Sequence, residues 1–326
     1  MKAILLSDYG DPEVLYLGQA PDPQPAPHEL LIEVAATALN RADTLQRRGK
    51  YPPPPGASTI LGLEMAGTVI GLGEGASRFK IGDRVCGLLS GGGYASKVCL
   101  HEEMALPIPD GMSLTEAAAI PEVFLTAFQA LHWIAKLQPS ERLLLHAAAS
   151  GVGTAALQLA RLKDAEVIGT ASAGKHQLCR QLGASLLIDY TTEDFEPAVM
   201  AHTNNEGVDV VLDFIGKPYF NRNLEVLRSD GRLVQLAIMG GAKVEAVNLL
   251  TLQRKRLHIY GSTLRARALS YKIQLTQDFA TQCWPHFQSG QLQPVIDSIY
   301  PWTEVVAAHR LMESNRNQGK IILRVE

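Results

Sequence analysis

The chain is poor in cysteine and aromatics and has no surplus of either charge. Four cysteines, Cys86, Cys99, Cys179 and Cys283, are scattered through 326 residues without a C-x-x-C pair. This spacing excludes a disulfide scaffold and suits a reducing compartment. Charged residues make up 19% and the formal net charge is −3, so neither a disordered chain nor a strongly basic face for nucleic acid is expected. The nine histidines, His28, His101 and His132 among them, show no ligand spacing, and no metal is expected from them. The opening MKAILLSDYGDPEVL has only a few apolar residues before Asp8 and Asp11, too short for a signal sequence. No later run is read as a membrane span. The expectation is a cytosolic protein with neither a nucleic-acid nor a membrane partner. What the chain has is length and an ordinary hydrophobic content of 46%, enough for two domains with sizeable cores.

Up to Met104 short β-rich runs, Lys2–Leu6, Leu30–Ala36, Gly67–Gly71 and Arg84–Leu88, alternate with Gly, Pro and Asp, which reads as an all-β domain. Pro21, Pro23, Pro25 and Pro27 make a stiff surface connector. The segment from Gly73 to Val85 reads as a turn with a re-entering strand. From Leu114 the spacing becomes helical, over Thr115–Ala119 and Phe124–Ile134 with Pro121 between them, and a domain boundary falls there. Apolar runs then alternate with helical stretches: Leu143–His146, Glu166–Thr170, Leu186–Asp189, Val208–Asp213, Arg232–Ala237 and Leu257–Gly261. Repeated β–α alternation with near-continuous apolar strands indicates a doubly wound parallel sheet of the Rossmann class. From Arg265 the pattern changes again, with helices over Ser270–Phe287 and Val305–Ser314, a run Val295–Ile299 and a closing strand Lys320–Val325. This tail is expected to return to the first domain. The division is 1–121 completed by 265–326, and 122–264.

The stretch Leu143 to Arg161, LLLHAAASGVGTAALQLAR, joins an apolar run to an amphipathic helix through very small residues. A strand, a tight turn and a helix N-terminus direct backbone N–H groups and the positive end of a helix dipole to one point, which favours a phosphate. Against the G-x-G-x-x-G fingerprint the first two glycines are replaced by Ala148 and Ser150, the third remains as Gly153, and Gly151 is added. Ala148, Ser150, Gly151, Val152 and Gly153 are the expected cradle. In NAD-binding sheets a carboxylate some twenty residues on accepts bonds from the ribose 2′-hydroxyl. Here the second strand ends Gly169-Thr170-Ala171-Ser172, no carboxylate follows until Asp189, and Lys175 and Arg180 are close by. That favours NADPH, with Ser172 and Lys175 on its 2′-phosphate.

Four blocks, Gly10 to Leu15, Asn40-Arg41-Ala42-Asp43, the HAAASGVGTAALQLAR run and Asn315 to Lys320, together with the domain order, resemble the medium-chain dehydrogenase/reductase superfamily, specifically its zinc-independent quinone oxidoreductase branch. The run IPEVFLTAFQAL, Ile120 to Leu131, is most similar to the subgroup of the tumour-suppressor-inducible quinone oxidoreductase. The resemblance implies an α/β protein in which a GroES-like β-rich catalytic domain is joined to a Rossmann NADP-binding domain. It implies a homodimer built through the latter. The zinc-ligand positions of the superfamily's alcohol dehydrogenases fall at Asn40 and within Gly62-Leu63-Glu64, with no Cys or His to bind metal. The resemblance further implies that Asn40, Asp43, Tyr51 and Thr126 orient substrate or cofactor. Tyr190 and Asn315 would meet the adenosine end, and Phe214, Ile215, Gly216, Met239, Gly240 and Gly241 would follow strand ends along the cofactor. Ser262, Thr263 and Leu264 would border the nicotinamide. The expected activity is hydride transfer from NADPH to a quinone. The alternatives are reduction of an activated alkene, such as an enone or enoyl thioester, and a crystallin-like or RNA-binding role without catalysis.

Overall fold

A computed structural model describes residues 1–325. They divide into two compact units, 1–125 with 264–325, and Thr126–Thr263.

In the first unit β1 (Lys2–Leu6) pairs antiparallel with β2 (Leu15–Gln19). The long β3 (Glu29–Ala38) leads through Leu39 to Asn40, the N-cap of the short helix α1 (Arg41–Arg47). β4 (Glu64–Leu72), β5 (Arg84–Leu88), β6 (Lys97–His101) and β7 (Ala105–Pro107) follow. The expectation of an all-β segment therefore needs correcting by one helix. Its signal was present as Asn40 followed three residues later by Asp43, a reciprocal cap that satisfies N-terminal amides. Next come α2 (Leu114–Ala117) and α3 (Pro121–Phe128), the latter running on into a π-helical turn, Gln129–Ile134. Pro121 opens α3 rather than merely separating two helices, because a first-turn residue has no use for its N–H. The expectation that no stretch approaches a membrane span is also corrected. Leu114–Ile134 is long and apolar enough by length and composition, and 72% of its window is buried inside the protein, as in a core helix.

The second unit begins with Thr126 in α3. Its strands are β8 (Arg142–Leu145), β9 (Glu166–Thr170), β10 (Ala184–Ile188), β11 (Val208–Asp213), β12 (Leu227–Gln235) and β13 (His258–Gly261). Helices α4 (Gly151–Leu162), α5 (His176–Leu182), α6 (Phe195–His202), α7 (Phe220–Val226) and α8 (Leu249–Lys255) intervene. All five strand pairs are parallel and the order is β10-β9-β8-β11-β12-β13, the doubly wound arrangement whose order reverses between β8 and β11. Its core joins Leu144, Ile168, Val211 and Leu233 from the strands to Phe195, Val199 and Leu224 from the helices.

The tail supplies α9 (Leu269–Gln288), β14 (Ile296–Pro301), α10 (Val305–Glu313) and β15 (Lys320–Arg324). β15 pairs with β3, so the seven-stranded sheet of the first unit is completed from the chain's far end. Trp302, Val305, Ile321 and Leu323 pack there on Ile4, Leu39 and Tyr94.

Candidate functional site

In the second unit β8 leads through His146 to Ser150 into α4. The sharp bend is taken by Ala147, at φ +50°, one residue before the position that aligns with the fingerprint's first glycine. Ala148 N–H donates to Thr170 O at 3.0 Å. A Cβ on Gly153 would stand 2.4 Å from Ala147 O and 2.5 Å from Ala148 O, so the surviving glycine is required by close approach of helix to strand end. The Ser150 hydroxyl caps α4 by accepting the Gly153 N–H at 3.1 Å. Gly151 and Val152 occupy the first helical turn, whose amides have no intrahelical partner and face an anion favourably.

Ser172 precedes a 3-10 turn, Ala173–Lys175, in which Gly174 has open space around it. The sequence puts Asp189 well away from this turn, but β10 lies beside β9 and returns it. Asp189 Oδ2 accepts the Ala173 N–H at 3.2 Å, and Oδ1 accepts the Thr191 hydroxyl at 2.7 Å and N–H at 3.0 Å. Those bonds, the hydroxyl foremost, hold its pKa below the usual range and commit its oxygens to backbone. Tyr190, next in the chain, is half-exposed.

The two glycine turns at strand ends come together. Met239 N–H donates to Phe214 O and Gly240 N–H to Ile215 O, at 3.1 and 2.7 Å, while Lys217 N–H donates to Gly241 O at 2.9 Å. Asp213 shapes the first turn by accepting the N–H groups of Ile215 and Gly216 at 2.6 and 3.2 Å. Behind it runs a buried network that sequence reasoning missed. Asn223 Nδ2 donates to Asp213 Oδ2 at 3.1 Å, so its Oδ1 accepts from His146 Nε2–H at 2.8 Å, and His146 Nδ1 accepts the Thr170 hydroxyl at 3.1 Å. Burial lowers the pKa of this imidazole. Three strand ends are thus tied beneath the turns, a tertiary arrangement with no local motif.

The Thr126 hydroxyl on α3 is buried and has no hydrogen-bond partner among the described residues. Such an orphan is costly unless a ligand satisfies it. Ser262 donates its hydroxyl to Gln129 Oε1 at 3.3 Å and its N–H to Gln235 O at 3.0 Å. Thr263 is exposed at the end of this unit, and Leu264, buried, begins the return to the other.

In the first unit the predicted polar residues are committed to the protein. Asp43 is fully buried, with Oδ2 accepting the Asn40 N–H at 2.8 Å and Oδ1 the Gly62 N–H at 3.1 Å. Burial raises its pKa to about 6. Asp43 thus caps α1 and holds the Asn40 and Gly62 backbone in place. Asn40 Nδ2 donates to Glu64 Oε1 at 2.9 Å, and its Oδ1 accepts from Lys320 Nζ at 2.7 Å. Lys320 also donates to Leu39 O at 2.8 Å and forms an ion pair with Glu64 Oε1 at 2.7 Å. Tyr51, partly buried, places its ring 5.4 Å from the Arg265 guanidinium carbon. Asn315, at φ +57°, accepts from Arg41 Nη2 at 2.5 Å. It belongs to the first unit and its expected companion Tyr190 to the second. Arg265, Lys272, Glu122 and Lys320 were not singled out from the sequence. Arg265 directly follows Leu264, and that adjacency was the one available signal.

Residues 26–110 match the alcohol dehydrogenase GroES-like domain and residues 182–323 the zinc-binding dehydrogenase domain. The crystal structure of Escherichia coli quinone oxidoreductase complexed with NADPH is 31% identical, has a TM-score of 0.89 and covers 99% of this chain and 100% of that one. The chain belongs to the zinc-independent quinone oxidoreductase family of medium-chain dehydrogenases/reductases. The human synaptic vesicle membrane protein VAT-1 homolog is 31% identical over 99% of this chain and 86% of its own length. The CurK enoyl reductase is 32% identical with a TM-score of 0.88, covering 100% of this chain and 99% of that one.

For this member of the quinone oxidoreductase family the zinc positions can be tested on their donors. Leu63 is buried and offers none, and the Asn40 amide and Glu64 carboxylate are both occupied by the Lys320 ammonium. A fixed cation on those oxygens repels a second one. The residues therefore do not fit a metal ion.

Proposed function

We propose that this quinone oxidoreductase family member is an NADPH-dependent quinone reductase working without a metal. The observation that carries this reading is the pair of turns at the ends of β8 and β9. One offers first-turn amides of a twelve-residue helix to a diphosphate. The other carries Ser172 and Lys175 where a ribose-reading acid would stand, with Asp189 tied to backbone. The NADPH complex of the E. coli relative supports it. Bound NADPH would supply a hydride. Ser150, Gly151, Val152 and Gly153 bind the diphosphate and Ser172 and Lys175 the 2′-phosphate. The orphan Thr126 hydroxyl takes a polar group of the nicotinamide or substrate, and Ser262 and Thr263 of the same unit border the nicotinamide. Tyr51 positions a flat substrate by stacking. Without an obvious acid, catalysis rests on positioning and electrostatic stabilisation of the reduced oxygen, whose proton comes from water.

The CurK enoyl reductase likeness favours one second reading, reduction of an activated alkene by the same apparatus. The exposed edge strand β13 supports a homodimer through this unit, and the scatter of four cysteines without a C-x-x-C pair supports a reducing compartment. The test is stopped-flow oxidation of NADPH deuterated at C4 across ortho-quinones and enones. A primary isotope effect with quinones turned over fastest is expected. Faster enones would select the alkene reading, and no oxidation by any acceptor would refute both.

A further inference from the structure

The first unit contains a buried cation that the fold leaves partly unused. Arg265 is only 5% exposed. Its Nε donates to Ser90 O at 2.8 Å and its Nη2 to Gln46 Oε1 at 2.7 Å. Gln46 cannot swing away, because its own Nε2 donates to Thr59 O at 2.9 Å. The Tyr51 ring lies over the guanidinium. Two edges and a face are thus fixed, while Nη1 is buried and has no hydrogen-bond partner among the described residues. Asp43 and Glu122 act on Arg265 only through space. Lys272 adds a second cation, its Nζ donating to Ser90 Oγ at 2.7 Å.

A guanidinium brings five donors, and burying one with an idle edge and no ion pair costs free energy that the protein itself does not recover. Such a group is a preorganised donor for an atom the chain does not supply. With its face covered by Tyr51, it can offer a ligand only the edge carrying Nη1, which selects an oxygen lying near the guanidinium plane.

We propose that Arg265 is a substrate-binding residue whose Nη1 edge holds the carbonyl oxygen that becomes an oxyanion on reduction. This rests on the reductase reading above. In the two-electron step the donor C–H bond breaks, its electron pair and hydrogen pass to the acceptor, and the dihydronicotinamide is oxidised. The acceptor's π system is reduced, and negative charge settles on the oxygen facing Arg265 until water protonates it. The oxygen is a phenolate for a quinone and an enolate for an enone, and Arg265 serves either. Removing one such donor costs about 10²- to 10³-fold in rate.

The test uses the NADP⁺-saturated enzyme and 4-nitrophenol, whose phenolate is yellow. Wild type should bind the phenolate in preference to the phenol, lowering the probe's apparent pKa by one unit or more. Arg265→Met should abolish that shift, and Arg265→Lys should recover part of it. In turnover Arg265→Lys should lose about 10²-fold in kcat with unchanged NADPH affinity. Wild type that fails to bind the probe or binds it without an ionisation shift would overturn the proposal whether or not the variants fold. So would a folded Arg265→Met giving the wild-type spectrum. Arg265-dependent phenolate binding by an enzyme that reduces no quinone would instead refute the quinone reading and leave this assignment standing. Quinone reduction with an Arg265-independent spectrum would do the reverse.

Discussion

Replacing Glu122 by Gln should change how the protein's stability depends on pH. Glu122 lies on α3 within the field of Glu64 and Asp43, and burial, followed by repulsion from Glu64, raises its pKa to about 8 from 4.5. Between those values the folded state keeps a proton that the unfolded chain releases. The stabilisation from the raised pKa is complete below about pH 4.5 and is lost as pH climbs to about 8. The slope is about 1.4 kcal/mol per pH unit, which sums to at most about 4 to 5 kcal/mol over the window. From pH 5 to pH 7 it amounts to about 3 kcal/mol, or roughly 5–10 °C in Tm for the unit that carries it. Glutamine preserves the shape and cannot ionise. Scanning calorimetry of both proteins from pH 5 to pH 9 should therefore show wild type falling relative to Glu122→Gln up to pH 8 and running parallel above it. The comparison cancels groups shared by both proteins, including Asp43, which shifts in the same direction, and His309, held near 3 by burial, which acts oppositely below its ordinary value. Parallel curves throughout would refute a partly buried, neutral Glu122 among these carboxylates.

Lys320→Met should leave Glu64 and Asn40 without their buried cation and destabilise the protein by about 3–5 kcal/mol, readable as a urea midpoint shift. Lys175→Glu should raise the Michaelis constant for NADPH far more than that for NADH, because a carboxylate repels a 2′-phosphate; an equal rise in both would contradict the assignment. Gly153→Ala should lower Tm and weaken NADPH binding in a calorimetric titration, since its Cβ would meet two backbone oxygens. Gly174→Ala, with open space at that position, should leave Tm unchanged.

Much of this protein was legible locally. β1, β5, β9 and β11 coincide with apolar runs bounded by turn residues, because period and burial are written in adjacent side chains. The strand–turn–helix bend from Ala148 to Gly153 was legible for the same reason, and Gly153 lies where its Cβ would meet backbone oxygens. Helix α1, β2 and β6 were missed because their patterns are short, and the strands they meet in the fold decide them.

The sequence by itself determined the βα alternation, the small-residue turn, the absence of a carboxylate directly after β9 and the absence of soft ligands at Asn40 and Leu63. Each depends on residue type at a fixed spacing. Only the tertiary structure decided where the charges went. It brought Asp189 back beside Ala173 from the neighbouring strand, and placed Lys320, 280 residues on, against Asn40. It also turned Asp43 inward and held Arg265 between Ser90, Gln46 and Tyr51 with one edge unpaired. The free energy of a buried charge is set by what surrounds it in three dimensions, and no window along the chain contains that information.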